Sequence, residues 1–344
     1  MKIIVSTMLV LSGLLANAQD SKGVLFLTKP LSSSSISSVE AKTSGGDIEV
    51  SAVNVSEARI EVYVTENNHR GSYSKEAIEK KIASDYDVSV TVSGNKLTAT
   101  ARPKKVLKNS DNSLNIAYRI FVPAACATQL KTSGGGISIT GLSGEQAFKT
   151  SGGELLVKGV TGKITGRTSG GEITVTDSKD DIDLQTSGGE IHAANCNGKI
   201  KLNSSGGSIQ LKELGGDIVA TTSGGNVNAQ NITGDLDTHT SGGNLTLTGI
   251  AGSLNAYTSG GNINVEIAKS SKFVRLKNSG GNISLQIPKG TGLNLDIHGD
   301  GIKTEGLSNF SGAMEKKTVN GTVNGGGIPV DVQAGSGEVS LRMR

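Results

Sequence analysis

The chain has 344 residues, including 48 Gly, five Phe, five Tyr and no Trp, and 35% of its residues are hydrophobic. The glycines follow no three-residue period, and no apolar run after residue 20 approaches the ~18 residues that span a bilayer, which excludes a collagen and a transmembrane bundle. Lys plus Arg number 34 against 31 Asp plus Glu, so no broad basic surface is available for nucleic acid or anionic lipid.

Residues 1–18 have the composition of a cleavable export signal. A single cation, Lys2, precedes an apolar stretch from Ile3 to Leu15, and the small-residue pattern Ala16-Asn17-Ala18 stands before Gln19. A lipoprotein would need Cys at the position of Gln19. We therefore predict an exported protein, periplasmic or extracellular at the cell surface, with no transmembrane segment after signal cleavage.

The triplet Ser-Gly-Gly recurs along most of the chain. It begins at Ser44, Ser133, Ser151, Ser169, Ser187, Ser205, Ser223, Ser241, Ser259 and Ser279. From Ser133 to Ser259 every interval is 18 residues, and the residue before each triplet, which we number column 1 of the unit, is Thr or Ser. A fixed period of this length is the signature of a repeat architecture.

Each 18-residue unit predicts two strands. Columns 6 and 8 are apolar with a polar column 7 between them, and columns 15 and 17 repeat this alternation, which is typical of strands with one buried face. The Gly-Gly pair is expected to form one corner, because glycine adopts positive φ freely and avoids Cβ collisions between stacked corners. Turn-forming residues in columns 10 and 13 are expected to form the other corner.

Two strands and two corners that return in register describe one coil of an all-β parallel β-solenoid, with coils about 4.8 Å apart. Right-handed coiling is expected from the general rule for parallel crossovers. Two other 18-residue folds are excluded. A hexapeptide helix would need an apolar column 18, which is polar here, and a calcium β-roll would need stacked corner aspartates, whereas Asp177 and Asp180 stand alone in their columns.

The Ser-Gly-Gly repeat is interrupted between Ser44 and Ser133. This stretch alternates like several strands and contains a short helix behind Ser74, a serine that can cap it. We predict an N-terminal α+β insertion that caps the solenoid, because an open first coil would expose unpaired strand edges. The predicted organisation is a signal peptide (1–18), a lead-in with the first coil (19–57), the inserted cap (58–131), regular coils (132–297), and irregular C-terminal coils (298–344) closed by a basic tail with Arg342 and Arg344.

The unit Thr-Ser-Gly-Gly-x-Ile-x-Val, seen nine times from Thr43 to Val265 and continued by Asn278 to Leu285, resembles the bacterial putative-adhesin family of exported SGG-repeat β-solenoid proteins. The strand that leads into Thr132 is similar to that family's entry into its repeats. The resemblance implies a domain of unknown function, with a loose link to adhesion or to envelope-stress systems, and it supplies no catalytic residues to transfer.

Column 5 is the most regular polar column of the repeat. It holds Glu154, Glu172 and Glu190, followed after Ser208 by Asn226, Asn244, Asn262 and Asn282. The asparagines are expected to hydrogen-bond along the stack. The glutamates are expected to be solvated, and a cation bound by this column remains an open alternative.

No other residue set predicts a catalytic, cofactor or metal site. The histidines fall in different columns without ligand spacing, and Cys196 lies in the apolar column 11, where a core position is expected. The nearest enzyme-like cluster combines carboxylates with two cations: Asp180, Asp181, Asp183, Arg167 and Lys199. Solvated turn aspartates are the simpler interpretation of that cluster.

The sequence therefore predicts a non-catalytic, adhesin-like binding or scaffold module of the bacterial cell envelope, without a cofactor. Its partner would be a cell-surface or envelope protein or a polysaccharide, and not nucleic acid. The alternatives are a periplasmic component of an envelope-stress response and a β-helix polysaccharide-active enzyme. Each of the four tyrosines of the insertion is expected to fill the core of the cap, although a macromolecular partner is expected to contact the insertion more than the rod. The four tyrosines are Tyr63, Tyr73, Tyr86 and Tyr118.

Overall fold

The computed structural model describes residues 23–66, 74–105, 113–268 and 272–344, so the predicted export signal lies outside the described residues. In these residues the chain forms 30 strands, one α-helix and one 3-10 turn, and the strands are joined in one continuous hydrogen-bonded sheet. Within the same ranges, no helix is long and apolar enough to cross a membrane. The fold is the all-β parallel solenoid that the repeat predicts.

The described residues up to Val122 form seven strands, a helix and a short turn. They are β1 (Val24–Pro30), β2 (Ser38–Lys42), β3 (Ile48–Ala52), a 3-10 turn (Val55–Glu57), β4 (Arg59–Glu66), α1 (Lys75–Asp85), β5 (Tyr86–Ser93), β6 (Lys96–Pro103) and β7 (Leu114–Val122). Helix α1 begins where the sequence predicts, because the Ser74 side chain accepts a hydrogen bond from the Ala77 N–H at 3.3 Å. Its Ile78 and Ile82 are buried.

The regular coils follow from residue 127. Their strands are β8 (Ala127–Lys131), β9 (Ile137–Thr140), β10 (Gln146–Lys149), β11 (Leu155–Lys158), β12 (Thr161–Arg167), β13 (Ile173–Thr176), β14 (Lys179–Thr186), β15 (Ile191–Ala194), β16 (Asn197–Ser204), β17 (Ile209–Lys212), β18 (Gly215–Thr221), β19 (Val227–Thr240), β20 (Leu245–Ala251), β21 (Leu254–Thr258), β22 (Ile263–Ile267), β23 (Val274–Asn278) and β24 (Ile283–Ile287). The C-terminal strands are β25 (Leu293–His298), β26 (Gly301–Glu305), β27 (Phe310–Met314), β28 (Thr318–Val323), β29 (Ile328–Ala334) and β30 (Glu338–Met343).

The coils stack in parallel and in register, so the continuous sheet folds into two walls that enclose the core. Ile173 pairs with Ile191, and Ile191 with Ile209, at intervals of one 18-residue coil. The first wall contains, among others, β12, β14, β16, β18, β21 and β23, and the second wall contains β11, β13, β15, β17, β20 and β22. Strand β19 continues from one wall into the other.

The core is aliphatic, as the scarcity of aromatic residues requires. Columns 6, 8, 11 and 15 point inward, and Ile173, Ile182 and Ile191 are fully buried. Burying such a side chain contributes about 1.5–3 kcal/mol relative to exposure, so each coil adds several favourable terms. The structure therefore confirms the predicted strand alternation.

The second corner of each coil has the backbone conformation that its residue types predict. The column 10 residues Gly141, Gly159, Asp177, Asn195, Glu213, Asn231 and Gly249 all have φ between 54° and 71°. Short polar residues and glycine tolerate this left-handed region best. Glu213 adopts it as well, although its residue type gives no such signal.

The expectation of positive φ at the Gly-Gly corner is wrong, because these pairs are not among the described residues with positive φ. The second glycine of each pair is required instead by the close approach of neighbouring coils. A Cβ at Gly189 would overlap the carbonyl group of Gly171 one coil away. At the first glycine of the pair, Gly188, the nearest atom to a Cβ would be the carbonyl oxygen of Ser169 at 3.6 Å, an ordinary contact.

The insertion closes the N-terminal end by adding a further rung to the stack. Strands β2 and β3 pair with β8 and β9 on one side, so residues 89 positions apart, such as Ile48 and Ile137, are neighbours. On the other side β2 and β3 pair with β6 and β7. The edges beyond β6 and β7 are covered by antiparallel β5, and by β4 followed by β1. The predicted cap is thus present as α+β structure.

The C-terminal end is not closed by the basic tail, which corrects the expectation for Arg342. Strands β29 and β30 lie between the rung of β23 and β24 and the rung of β25 and β26. Arg342 therefore belongs to an internal rung. The outer edge of the first wall is instead covered by the antiparallel strands β28 and β27.

Candidate functional site

The threonine of the Thr-Ser-Gly-Gly motif is used for folding. The Thr186 hydroxyl donates to the carbonyl oxygen of Gly171 at 2.9 Å, and it accepts from the N–H of Gly189 at 3.1 Å. The same pair of bonds recurs from coil to coil, for example at Thr168 and Thr222. Each buried threonine therefore satisfies one backbone group in its own coil and one in the preceding coil.

The asparagines of column 5 also form a structural ladder, although the bonds run from side chain to backbone. The Asn226 side-chain oxygen accepts from the N–H of Asn244 at 2.8 Å, and the oxygen of Asn244 accepts from Asn262 in the same way. Two glutamates of this column, Glu172 and Glu190, lie beside His192. The Nε2 atom of His192 lies 3.4 Å from Glu172 and 3.3 Å from Glu190.

Two residues of the enzyme-like cluster, Asp180 and Arg167, form contacts that stabilise the coils. Asp180 has φ 83° and its carboxylate accepts from the Gly162 N–H at 2.9 Å, so it serves as a turn residue. Arg167 lies 3.9 Å from Asp183 in an exposed pair. In the described part of the chain, no cluster of three or more His, Cys, Asp or Glu side chains could hold a metal ion.

Both cysteines are free and buried, which confirms the core position expected for Cys196. Burial raises the pKa of Cys126 to about 11 and also raises the pKa of Cys196. A nucleophilic cysteine needs the opposite setting, an exposed thiol with a lowered pKa.

The prediction that the insertion tyrosines fill the core of the cap is confirmed for Tyr118 and Tyr86. Tyr118 is fully buried, and burial raises its pKa. Tyr86 is buried, and its hydroxyl accepts from the N–H of Leu114 at 2.7 Å. Both fill the core of the cap. Tyr63 is half-buried and donates to Glu61 at 2.9 Å, and Tyr73 lies outside the described residues.

The strongest candidate site lies on the outer surface of the first wall, near the C-terminal end. The rings of His239 and Tyr257, which occupy column 18 in adjacent coils, stack with centroids 4.7 Å apart and planes 3° from parallel. Register continues this column to Lys277, then to Gln333 and His298. We call these five residues the column 18 row.

An open groove of about 510 Å³ lies at the end of this row formed by Lys277, Gln333 and His298. Its lining residues are Lys277, Asn278, Ser279, His298, Gln333, Ala334 and Gly335. The Tyr257 hydroxyl lies 3.0 Å from the Ser259 hydroxyl and 3.4 Å from that of Ser279, which places the ring at the mouth of the groove. These hydrogen bonds, together with the charge of Lys277, lower the pKa of Tyr257.

The carboxylates beside the groove already have hydrogen-bond partners. His298 Nε2 lies 2.9 Å from an oxygen of Asp296, and the Gln333 side-chain amide donates to Asp331 at 3.2 Å. Lys277 is exposed and has no ion pair within the described residues. The groove therefore combines hydroxyl and amide groups with one unpaired ammonium group, and the Tyr257 ring borders it at Ser279, a composition suited to a polar ligand with an apolar ring face.

Sequence reasoning missed this site, although part of its signal was present. His239 and Tyr257 are 18 residues apart, and both the repeat period and the column number predict that their rings are neighbours. The repeat period does not predict that Gln333 and His298 are also neighbours in this row. The chain places β29 between β23 and β25, so their spatial order differs from their order in the sequence.

The fold and the groove define an end-capped β-solenoid that offers an open groove on one wall. The chain belongs to the Toastrack DUF4097 family, whose model matches residues 166–342, slightly more than half of the chain. The search of curated proteins found no match.

Two solved structures resemble the chain over most of its length. A putative cell adhesion protein from Clostridium sporogenes ATCC 15579 shares 11% identity, with 92% of this chain and 98% of that chain covered and a TM-score of 0.18. A putative adhesin from Bacteroides fragilis NCTC 9343 shares 13% identity, with 92% of this chain and 96% of that chain covered and a TM-score of 0.27.

Proposed function

We propose that the protein is an exported, non-catalytic, adhesin-like binding module of the bacterial cell envelope. The observation that carries the proposal is the open groove beside the His239–Tyr257 ring stack, on a rod whose repeat motif is otherwise used for folding. The export signal read from residues 1–18 and the resemblance of the SGG units to an adhesin family also support it. A rigid rod with exposed polar walls holds such a groove in fixed geometry.

The first experiment tests location. The full chain is expressed with its own N-terminal segment, and intact cells, periplasmic extract and cytosol are compared by immunoblot after treatment of the cells with external protease. We expect an exported protein that lacks residues 1–18. An uncleaved protein retained in the cytosol contradicts the proposal.

The second experiment tests binding. The purified mature chain is sedimented with isolated cell envelopes, and the bound fraction is measured with and without 1 M salt or polysaccharide-degrading enzymes. Saturable binding to the envelope supports the proposal. An exported protein that binds no envelope component favours the envelope-stress alternative, and the release of sugar fragments by the protein alone favours the enzyme.

A further inference from the structure

We propose that the groove at the end of the column 18 row binds a carboxylated sugar unit of an anionic polysaccharide. This inference rests on the proposed binding function and adds the chemical class of the ligand. Three observations carry it: the orientation of the ring stack, the unpaired ammonium group of Lys277, and the position of a second cation on the same strand.

The ring stack provides a contact surface for the apolar face of a sugar ring. His239 and Tyr257 lie on adjacent rungs and stack nearly in parallel, so their planes stand across the long axis of the rod. Lys277 is the register neighbour of Tyr257 on the next rung, and the Tyr257 hydroxyl lies 3.4 Å from that of Ser279, so the ring borders the groove. Aromatic rings that combine a flat apolar face with a polar hydroxyl suit ligands of mixed character.

Lys277 supplies the charge that selects an acidic ligand. The carboxylates of Asp296 and Asp331 on the same wall form hydrogen bonds with His298 and Gln333 and do not form an ion pair with Lys277. The ammonium group is exposed at the groove and has no ion pair among the described residues. A ligand carboxylate can therefore form a charge-assisted hydrogen bond with it without displacing a protein partner.

A second cation extends the site along strand β23. Arg275 precedes Lys277 by two residues, so both side chains leave the same surface of the strand, about 6.5 Å apart along it. The Arg275 guanidinium lies 4.8 Å from the centroid of the Phe273 ring, which limits its freedom. Two cations at fixed separation suit a polymer that carries a carboxylate on successive units better than a single free sugar acid.

The neutral groups of the groove favour a glycan over other anionic polymers. Ser279, Asn278 and Gln333 offer hydroxyl and amide groups that can exchange hydrogen bonds with sugar hydroxyls.

The test is a calorimetric titration of the purified mature chain with three oligosaccharides and a single-stranded DNA. An oligogalacturonate carries carboxylates, its methyl-esterified form has the same rings without charge, and an oligomer of dextran is neutral. We expect saturable binding of the oligogalacturonate only. Equal binding of the esterified form, or preferential binding of the DNA, overturns the inference.

Four variants locate the site. Lys277→Gln and Tyr257→Ala are each expected to weaken oligogalacturonate binding about tenfold or more, whereas Tyr257→Phe, which retains the ring, should weaken it much less. Lys149→Gln is the matched control, because Lys149 is exposed in the same column seven rungs away, roughly 34 Å along the rod. Unchanged melting curves show that the variants are folded.

The outcomes separate this inference from the proposed function. If the natural chain sediments with envelopes but does not bind the oligogalacturonate, the ligand class is wrong and the binding function stands. If Lys277→Gln binds as tightly as Lys149→Gln does, the ligand is not held in this groove. If the natural chain binds neither envelopes nor the oligogalacturonate, both proposals are refuted.

Discussion

Replacing Gly189 by alanine should destabilise the protein far more than the same replacement at Gly188. A Cβ at position 189 would overlap the carbonyl group of Gly171 and lie 2.8 Å from the Glu172 nitrogen, so the two coils would have to separate. Both neighbouring atoms belong to backbone and cannot rotate away. At Gly188 the new methyl group would meet its nearest atom at 3.6 Å.

The size of the effect follows from the hydrogen bonds that cross this corner. Separation of the two coils would break the bond from the Gly188 N–H to Ser169 and the bond from the Thr186 hydroxyl to Gly171, which are both 2.9 Å long. At about 0.5–1.5 kcal/mol each, their loss costs about 1–3 kcal/mol. Gly188→Ala should change the free energy of unfolding by less than about 1 kcal/mol.

The assay is urea unfolding followed by circular dichroism at the strand band. Solenoids can unfold in stages, so the two variants are compared at the same transition of the curve. If Gly189→Ala and Gly188→Ala unfold at the same urea concentration, close backbone packing does not explain the second glycine. A shift at Gly188→Ala alone would contradict the geometry directly.

Three further predictions test the core, the thiols and one ion pair. Ile200→Asp should bury an unpaired charge and cost more than about 3 kcal/mol in urea unfolding, whereas the outward-facing Gln210→Asp should be nearly silent, and equal losses would contradict the assignment of the two surfaces. Cys126 and Cys196 should both react with a thiol reagent only after unfolding, because they are buried with raised pKa values, and a disulfide found by non-reducing mass spectrometry would contradict this. Hydrogen bonds from Lys42 and Lys96 lower the pKa of Glu40 from 4.5 to about 2, so the ionised carboxylate stabilises the fold above about pH 4.5 and this contribution disappears as the pH falls to 2. Glu40→Gln should therefore lower stability at pH 7 by up to about 1 kcal/mol and have no effect near pH 2, and a loss that persists at pH 2 would exclude the ion pair as its cause.

The repeat made the middle of the fold predictable, because each column of the alignment corresponds to one row of neighbours in the stack. Columns 6 and 15, at Ile191 and Ile200, were recognised as inward-facing from alternation alone, and both are buried. The reason for the Gly-Gly pair was only half predictable. Sequence identifies a residue without a Cβ, but it does not distinguish a need for positive φ from a need for close approach, and the structure shows the latter at Gly189.

The candidate site was less predictable, because most tyrosines lie in the insertion whereas the tyrosine at the groove lies in the repeat. Tyr86 and Tyr118 belong to the insertion. A cap needs a core of its own, and these two rings fill it. Tyr257 is a single aromatic residue within a long series of small and polar side chains. Its significance depends on His239 one coil earlier and on Lys277 one coil later.

The two ends of the rod have the same strand arrangement, and at the C-terminal end this arrangement forms the groove. At each end a terminal segment lies between two rungs, β2 and β3 near the N-terminus and β29 and β30 near the C-terminus. Neither segment can detach without breaking strand pairing on both of its sides. Lys277, Gln333 and His298 belong to three rungs that the sequence separates, so the groove exists only when the C-terminal end is closed. A ligand held there would bind the closed end alone and stabilise it by mass action, which couples recognition to the integrity of the rod.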